Sequence, residues 1–382
     1  MEFSELITGV QSFAPELLKS YCIVNQNIIK LDEIQNMGYK NFAHYSKRIM
    51  PLRLYKYYPN LENIDKNTGK SVNYSIQALE DNTVFLQTPT AFDDVYDSDI
   101  YIEYSTYERL RLIKYCKRCG LNVNENEPLE TMGDALTKTL YNYYITNNNF
   151  DKVFDIKPSS EIENLTNQVF LKNVIIELNK THDFRKAVAN ALQSEYADYI
   201  SSLKNTFRIS CFATTPYSQL MWGGSYANCH RGFCIEYTVL PDVKEYDELY
   251  FNLFPVIYCK TRPDTTAKLV EFIDKNITEE ALWDIYFNGI LRKSIDWFFQ
   301  NEWRLLLPFR RDNDNYNVKF FPITKVYLGN RMEAENRKKI IEICNQKNIP
   351  YVGIKRSSQY FEMQDCEMMC ENCPQLYKFD RK

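Results

Sequence analysis

Gln300 and Glu302 place a carboxamide and a carboxylate two positions apart. In an extended segment that spacing points both side chains to one face. A carboxylate there can orient a hydroxyl and stabilise positive charge developing beside it, and the amide can orient an incoming acceptor. The competing reading is a surface glutamate at a strand entry, paired with Arg304. Upstream, Arg53, Lys56 and Tyr57 offer groups that suit a pyrophosphate or a hydroxyl; a solvated edge strand would look the same. Thr88 and the adjacent acids Asp93 and Asp94 can close a pocket, yet paired loop acids also cap helices and make Asx turns. Asp93, Asp94, Asp97 and Asp99 as a metal set lack the glycine and final glutamate of a calcium loop.

The stretch from Ser210 to Tyr237 carries a second constellation. Trp222 and Tyr226 can stack on a planar ring, and His230 and Arg231 can meet phosphate or act in acid–base chemistry. Against this, Trp222 and Tyr226 can be core, with His230 a turn residue bound to backbone. Cys366, Cys370 and Cys373, with Cys116 and Cys119 elsewhere, resemble a zinc-binding pattern. Only three of these cysteines are local and no histidine is near, short of the four ligands zinc normally takes, so zinc is not expected. Of the three histidines, His44, His182 and His230, none sits in a recognisable nucleophile motif.

These groups need elements to hold them. The spacing predicts strands at 52–58, 83–88, 207–212, 233–239, 256–260, 303–307, 318–321, 323–328 and 351–354. Phe233, Ile235, Tyr237 and Val239 alternate with Cys234, Glu236 and Thr238. Ser218 is placed to cap about two helical turns over 219–227. Short helices are expected at 74–81, from Thr278 through Ile290, and over 333–348. From Glu103 to Lys204 four apolar stripes recur at helical spacing, the first of them ending at Gly120 as a C-cap. Residues 1–50 are read as an N-terminal helical extension, with Leu6, Val10, Phe13 and Leu17 in register. Residues 51–365 then form a single α+β domain with a helical insertion at about 103–205, and 366–382 a cysteine-bearing tail.

Composition bounds the function. With 45% hydrophobic and 25% charged residues the 382-residue chain has the means for a real core. The net charge of −4 gives no global attraction for nucleic acid or anionic membrane. No apolar run is long enough to span a bilayer, and the acidic Met-Glu-Phe-Ser-Glu start lacks a signal-peptide layout. An odd set of 11 scattered cysteines fits reduced thiols and a cytoplasmic protein.

Three segments taken together resemble a bacterial family known as domain of unknown function 2971. They are Leu54-Tyr-Lys-Tyr with Val84-Phe-Leu-Gln-Thr-Pro-Thr-Ala-Phe-Asp-Asp94, the Ser210–Tyr237 stretch, and Trp297-Phe-Phe-Gln-Asn-Glu-Trp-Arg304. The Ile323-Thr-Lys-Val-Tyr-Leu-Gly329 ending also fits, so the likeness spans about 52–355. Asp93-Asp94-Val95 replaces the family's usual Asn-Asp-Pro, and Gln300-Asn-Glu302 its frequent Glu-x-Glu. More distantly, the order Lys56/Tyr57, a helix near Ala78, Thr88, then Gln300-x-Glu302 resembles the ADP-ribosyltransferase fold, with Lys or Tyr where Arg or His is familiar. That resemblance implies a split, twisted, mainly antiparallel sheet and NAD as substrate. Glu302 and Gln300 would be the catalytic pair. Lys56, Tyr57, Thr88, Asp94, Tyr226, His230, Arg231 and Arg304 would make the nucleotide contacts. It also implies an effector of anti-phage defence or a toxin, with the macromolecular acceptor left open. The alternatives are a non-catalytic nucleotide-sensing or protein-binding module and an NAD glycohydrolase.

Overall fold

The Phe233–Thr238 strand takes partners on both edges and is buried along nearly its whole length. Its two faces serve different cores. Phe233, Ile235 and Tyr237 pack into the main apolar cluster, whereas Cys234 joins a smaller one with Tyr55, Tyr57 and Trp222. The expected alternation of buried and polar positions is therefore lost, and Glu236 is buried too. It is satisfied by Tyr327 Oη at 2.7 Å, Thr324 Oγ1 at 2.9 Å and Arg53 at 3.5 Å, as a buried charge requires.

This computed structural model describes residues 17–65, 68–155, 157–274, 279–309 and 316–366. They form a mixed α+β fold of several small open sheets. The largest has the order Met363–Cys366, Tyr351–Arg356, Ile323–Leu328, Phe233–Thr238, Arg53–Tyr58. All its neighbours are antiparallel except Ile323–Leu328 and Tyr351–Arg356, whose parallel pairing needs the crossover helix Ala334–Gln346. A second sheet runs Phe207–Phe212, Trp303–Pro308, Leu253–Pro255, fully antiparallel. The two touch where Tyr55 and Ala213 exchange backbone hydrogen bonds of 2.8 and 2.7 Å. Beyond that bridge they diverge, and the cleft described below opens between them.

The N-terminal region differs from the expected helical extension. Residues 1–16, with Leu6, Val10 and Phe13, lie outside the described residues. Tyr21–Val24 and Asn27–Lys30 form a hairpin that extends the Ile257–Cys259 and Arg292–Ser294 strands into a third sheet. Its two-residue turn, Asn25 and Gln26, has positive φ at both positions, the geometry that matches strand twist. The Leu31–Arg48 helix that follows breaks at Gly38, φ 66°, where Asp284 accepts from the Tyr39 amide at 2.8 Å. A left-handed residue there favours glycine.

The helical block is as expected. Tyr104–Arg118, Leu129–Asn147, Glu161–Thr181 and Phe184–Asn205 enclose their own core around Leu136, Leu140, Phe170 and Leu192. Gly120, φ 73°, follows the first helix. Asn73 rather than Ser75 caps Tyr74–Asp81, accepting from the Ile76 amide. Thr278 lies outside the described residues. Cys366 belongs to the Met363–Cys366 strand, paired with Gly353, so the sheet reaches the first tail cysteine; Cys370 and Cys373 lie outside the described residues.

One lysine in this frame yields a pH prediction. Lys47 Nζ donates to the carbonyls of Tyr250 and Leu253, at 2.5 and 2.9 Å, over the rings of Tyr250 and Phe254. Burial lowers its pKa to about 7. Between pH 7 and the ordinary lysine range the unfolded chain binds the extra proton, so stability rises with pH in that window and is flat below it. The unfolding free energy of wild type minus that of Lys47→Met is expected to rise by up to about 1.4 kcal/mol per pH unit from pH 7 to 10. A pH-independent difference in urea titrations would show that Lys47 stays charged.

Candidate functional site

Glu302 sits just before the Trp303–Pro308 strand, at the point where the second and third sheets meet. Its amide donates to Tyr258 Oη at 2.8 Å and its carbonyl accepts from the Val256 amide at 2.9 Å. The segment before it is not extended. Ile295–Gln300 is a 3-10 helix, capped by Ser294 and closed by Asn301 at φ 40°. Gln300 and Glu302 nevertheless converge, because both accept from one group. Lys293 Nζ lies 2.8 Å from Gln300 Oε1, 2.9 Å from Glu302 Oε2 and 2.9 Å from Asp97 Oδ2. An ammonium has three donors, and all three are used.

Arg304 completes the floor. Its Nε donates to Glu302 Oε1 at 2.7 Å, and its two Nη atoms reach Asp97 Oδ1 at 2.6 Å, Ser98 Oγ at 2.8 Å and the Ile290 carbonyl at 2.5 Å. Asp97, Lys293, Glu302 and Arg304 thus form a closed cluster of two anions and two cations, each at most 8% exposed. Burial alone would push the Glu302 carboxyl up, but the charges of Arg304 and Lys293 outweigh it and hold the group well below the usual carboxylate range. Burial likewise opposes charge on Lys293, and Glu302 and Asp97 reverse it, leaving the ammonium more firmly protonated than a free lysine.

Asp97, Lys293 and Glu302, backed by Arg304, are the floor of a cleft of about 570 Å³, within the range of small-molecule sites. Phe92, Trp297, Phe299 and Tyr226 bring aromatic surface to its walls. Tyr226 Oη accepts from Gln300 Nε2 at 2.7 Å, which fixes the amide's orientation. Lys56 lines the opposite side, over the Phe212 ring, and donates to Ser210 Oγ at 3.0 Å and the Cys211 carbonyl at 3.1 Å. One of its three donors remains for a ligand. The cleft also takes in Tyr57, Asp93, Asp94 and Cys211, whose thiol burial pushes far up, away from thiolate formation.

Of the sequence-derived candidates, Glu302, Gln300, Lys56, Tyr57, Asp94 and Tyr226 line one cleft. The others do not. Thr88 is bonded to Thr90 and Asn205 beside the Pro89–Ala91 turn. Arg304 stands behind Glu302, fully buried, rather than facing the cleft. His230 lines a separate depression and Arg231 is exposed on the turn. Trp222 is core, its indole N–H donating to the Pro216 carbonyl at 2.6 Å. Glu302 does pair with Arg304, but in the interior and not at a surface. Sequence reasoning missed Lys293 and weighed Asp97 only as a metal ligand. The available signal was the Ile290-Leu-Arg-Lys-Ser294 run, where two cations follow aliphatic residues in a strand that has to be buried. Among the described residues no group of three or more His, Cys, Asp or Glu is placed to hold a metal ion, and no helix is long and apolar enough to cross a membrane.

The cleft at the split between the two sheets thus combines a satisfied ionic floor with aromatic walls. The model of a family described as a protein of unknown function, DUF2971, matches residues 221–305. That segment contains Tyr226, Lys293, Gln300 and Glu302; Lys56 and Asp97 lie outside it, as do the strands near Leu54 and Leu328. No curated protein and no solved structure gives a significant match.

Proposed function

We propose that the cleft binds NAD and that the chain is an ADP-ribosyltransferase-like enzyme. The observation that carries this reading is the convergence of Glu302, held as an anion, and the oriented Gln300 amide on the floor of an aromatic-walled cleft. In the reaction the bond between the ribose C1′ and the nicotinamide nitrogen breaks, and its electron pair stays with the ring. The ribose acquires oxocarbenium character, an acceptor nucleophile forms the new bond to C1′, and the acceptor's proton is lost. Glu302 would accept from the ribose 2′-hydroxyl and stabilise the developing charge. Gln300 would orient the acceptor, and the remaining Lys56 donor would meet the pyrophosphate. The aromatic walls suit the nicotinamide and adenine rings.

A second reading, nucleotide sensing without turnover, is favoured by one specific observation. Both Glu302 oxygens already serve a cation, at 2.7 and 2.9 Å, which weakens the carboxylate as a base. Incubation with NAD and cell extract separates the readings. Labelled macromolecule identifies a transferase, and free nicotinamide without label a glycohydrolase. A raised melting temperature without turnover identifies a sensor. For a transferase, Glu302→Gln is expected to slow nicotinamide release by about 10²-fold or more. Unchanged release in a folded Glu302→Gln protein would remove Glu302 from the chemistry.

A further inference from the structure

A second cleft, of about 810 Å³, lies on the other side of the segment that walls the first. In the short Gln219–Gly223 helix, Gln219 faces this second cleft while Leu220 and Met221 face the first. One wall is built by a tight backbone arrangement. Asn228, Cys229 and His230 are consecutive left-handed residues; the His230 amide donates to the Trp222 carbonyl at 2.9 Å, and its own carbonyl accepts from the Arg331 amide at 3.0 Å. Arg337 Nη2 donates to the Gly329 carbonyl at 2.9 Å and fixes the same corner. The opposite wall is the Tyr351–Arg356 strand and the turn leading to Met363–Cys366.

The side chains presented there are unusual for a chain of net charge −4. Among the described residues of the lining, Arg331 and Lys355 contribute two cations and Glu362 one carboxylate. Arg331 and Lys355 make no ion pair or side-chain hydrogen bond among the described residues, with Glu362 or with any other group. Asn330, on the same lining, is 5% exposed and its Oδ1 has no hydrogen-bond partner. Buried polar atoms are normally satisfied. Tyr360 also lines the cleft and is 68% exposed. Unpaired cations in a concavity suit phosphate, an exposed ring suits a base, and an unmet amide oxygen suits a hydroxyl or amine.

We propose that this second cleft binds a nucleoside phosphate, with Arg331 and Lys355 on the phosphate and Tyr360 stacked on the base. The ligand's source is a free nucleotide or the phosphorylated end of a single strand, since both present the same groups. The proposal holds whatever the first cleft turns over.

Calorimetric titration of the full chain with pyrophosphate, AMP and a short 5′-phosphorylated single-stranded oligonucleotide tests it. AMP and pyrophosphate are expected to bind, and Arg331→Glu with Lys355→Glu to weaken both by at least ~10-fold. Tyr360→Ala is expected to weaken AMP by about 10-fold, the loss of one stacked base, with little effect on pyrophosphate. The oligonucleotide arm assigns the source: tighter binding than AMP points to a nucleic-acid end, and weaker binding to a free nucleotide. Glu302→Gln must leave the charge-reversal effect intact, which keeps this site distinct from the first. If the reversed protein fails to fold, Arg331→Gln with Lys355→Gln replaces it. No binding of any probe at millimolar concentration, or affinities unchanged by either double variant, overturns the proposal.

Discussion

Arg304→Met is expected to destabilise the chain by about 3–5 kcal/mol, the loss typical when one partner of a buried ionic group is removed. The guanidinium is fully buried and each of its three nitrogens is used, toward Glu302, Asp97, Ser98 and the Ile290 carbonyl. Methionine fills similar space but leaves two carboxylates facing the single charge of Lys293. The comparison that isolates the electrostatics is Arg304→Met with Asp97→Asn, which restores the balance of charge in the floor. The double variant is expected to recover part of the loss in urea denaturation, because the sites share a network and their effects do not add. Equal losses in the single and double variants would make Arg304 a packing residue and no more.

Gly232→Ala is expected to be strongly destabilising for so small a substitution. A Cβ there would stand 2.0 Å from the Tyr58 carbonyl oxygen and 3.0 Å from that of Ala227. Neither can withdraw cheaply, since Tyr58 opposes Phe233 in the central sheet and the Ala227 carbonyl accepts from the Gly232 amide at 2.8 Å. Overpacking of a rigid site typically costs 1–3 kcal/mol and occasionally more; with backbone on both sides, at least about 3 kcal/mol is expected here. The matched control is Gly133→Ala, inside the Leu129–Asn147 helix, where a Cβ meets nothing within 4 Å. That change is expected to stabilise by up to about 1 kcal/mol through helix propensity. Gly232→Ala with the stability of wild type would mean that the crossover between the two clefts yields easily.

The parts of the fold that were legible in sequence are those where a single face is buried. The four helices of the 104–205 block declare themselves because Leu136, Leu140, Phe170 and Leu192 repeat at helical spacing against one shared core. The hairpin at 21–30 does not, because Asn25-Gln26 lacks the glycine that usually marks such a turn, and only positive φ at both residues reveals it. Met363–Cys366 is equally silent: its Gln364 and Asp365 are polar, and it is a strand through its backbone pairing with Tyr351–Arg356. Glu302 and Gln300 do converge on one side, as their spacing suggests, although the backbone between them is a left-handed turn and not a strand. Lys293 has no motif of its own. Its role depends on Asp97 and Glu302 arriving from distant parts of the chain, and only the folded topology brings them together.

The ionic floor also has a kinetic consequence. Its four charges sum to zero, so its field dies away with distance faster than that of a lone lysine or glutamate. An anionic ligand is not drawn to the cleft from afar by the floor, and encounter owes little to electrostatic steering. For the ligand proposed above, selection would begin once it is already inside, where the directions of the individual charges, and not their total, would decide which orientation is held.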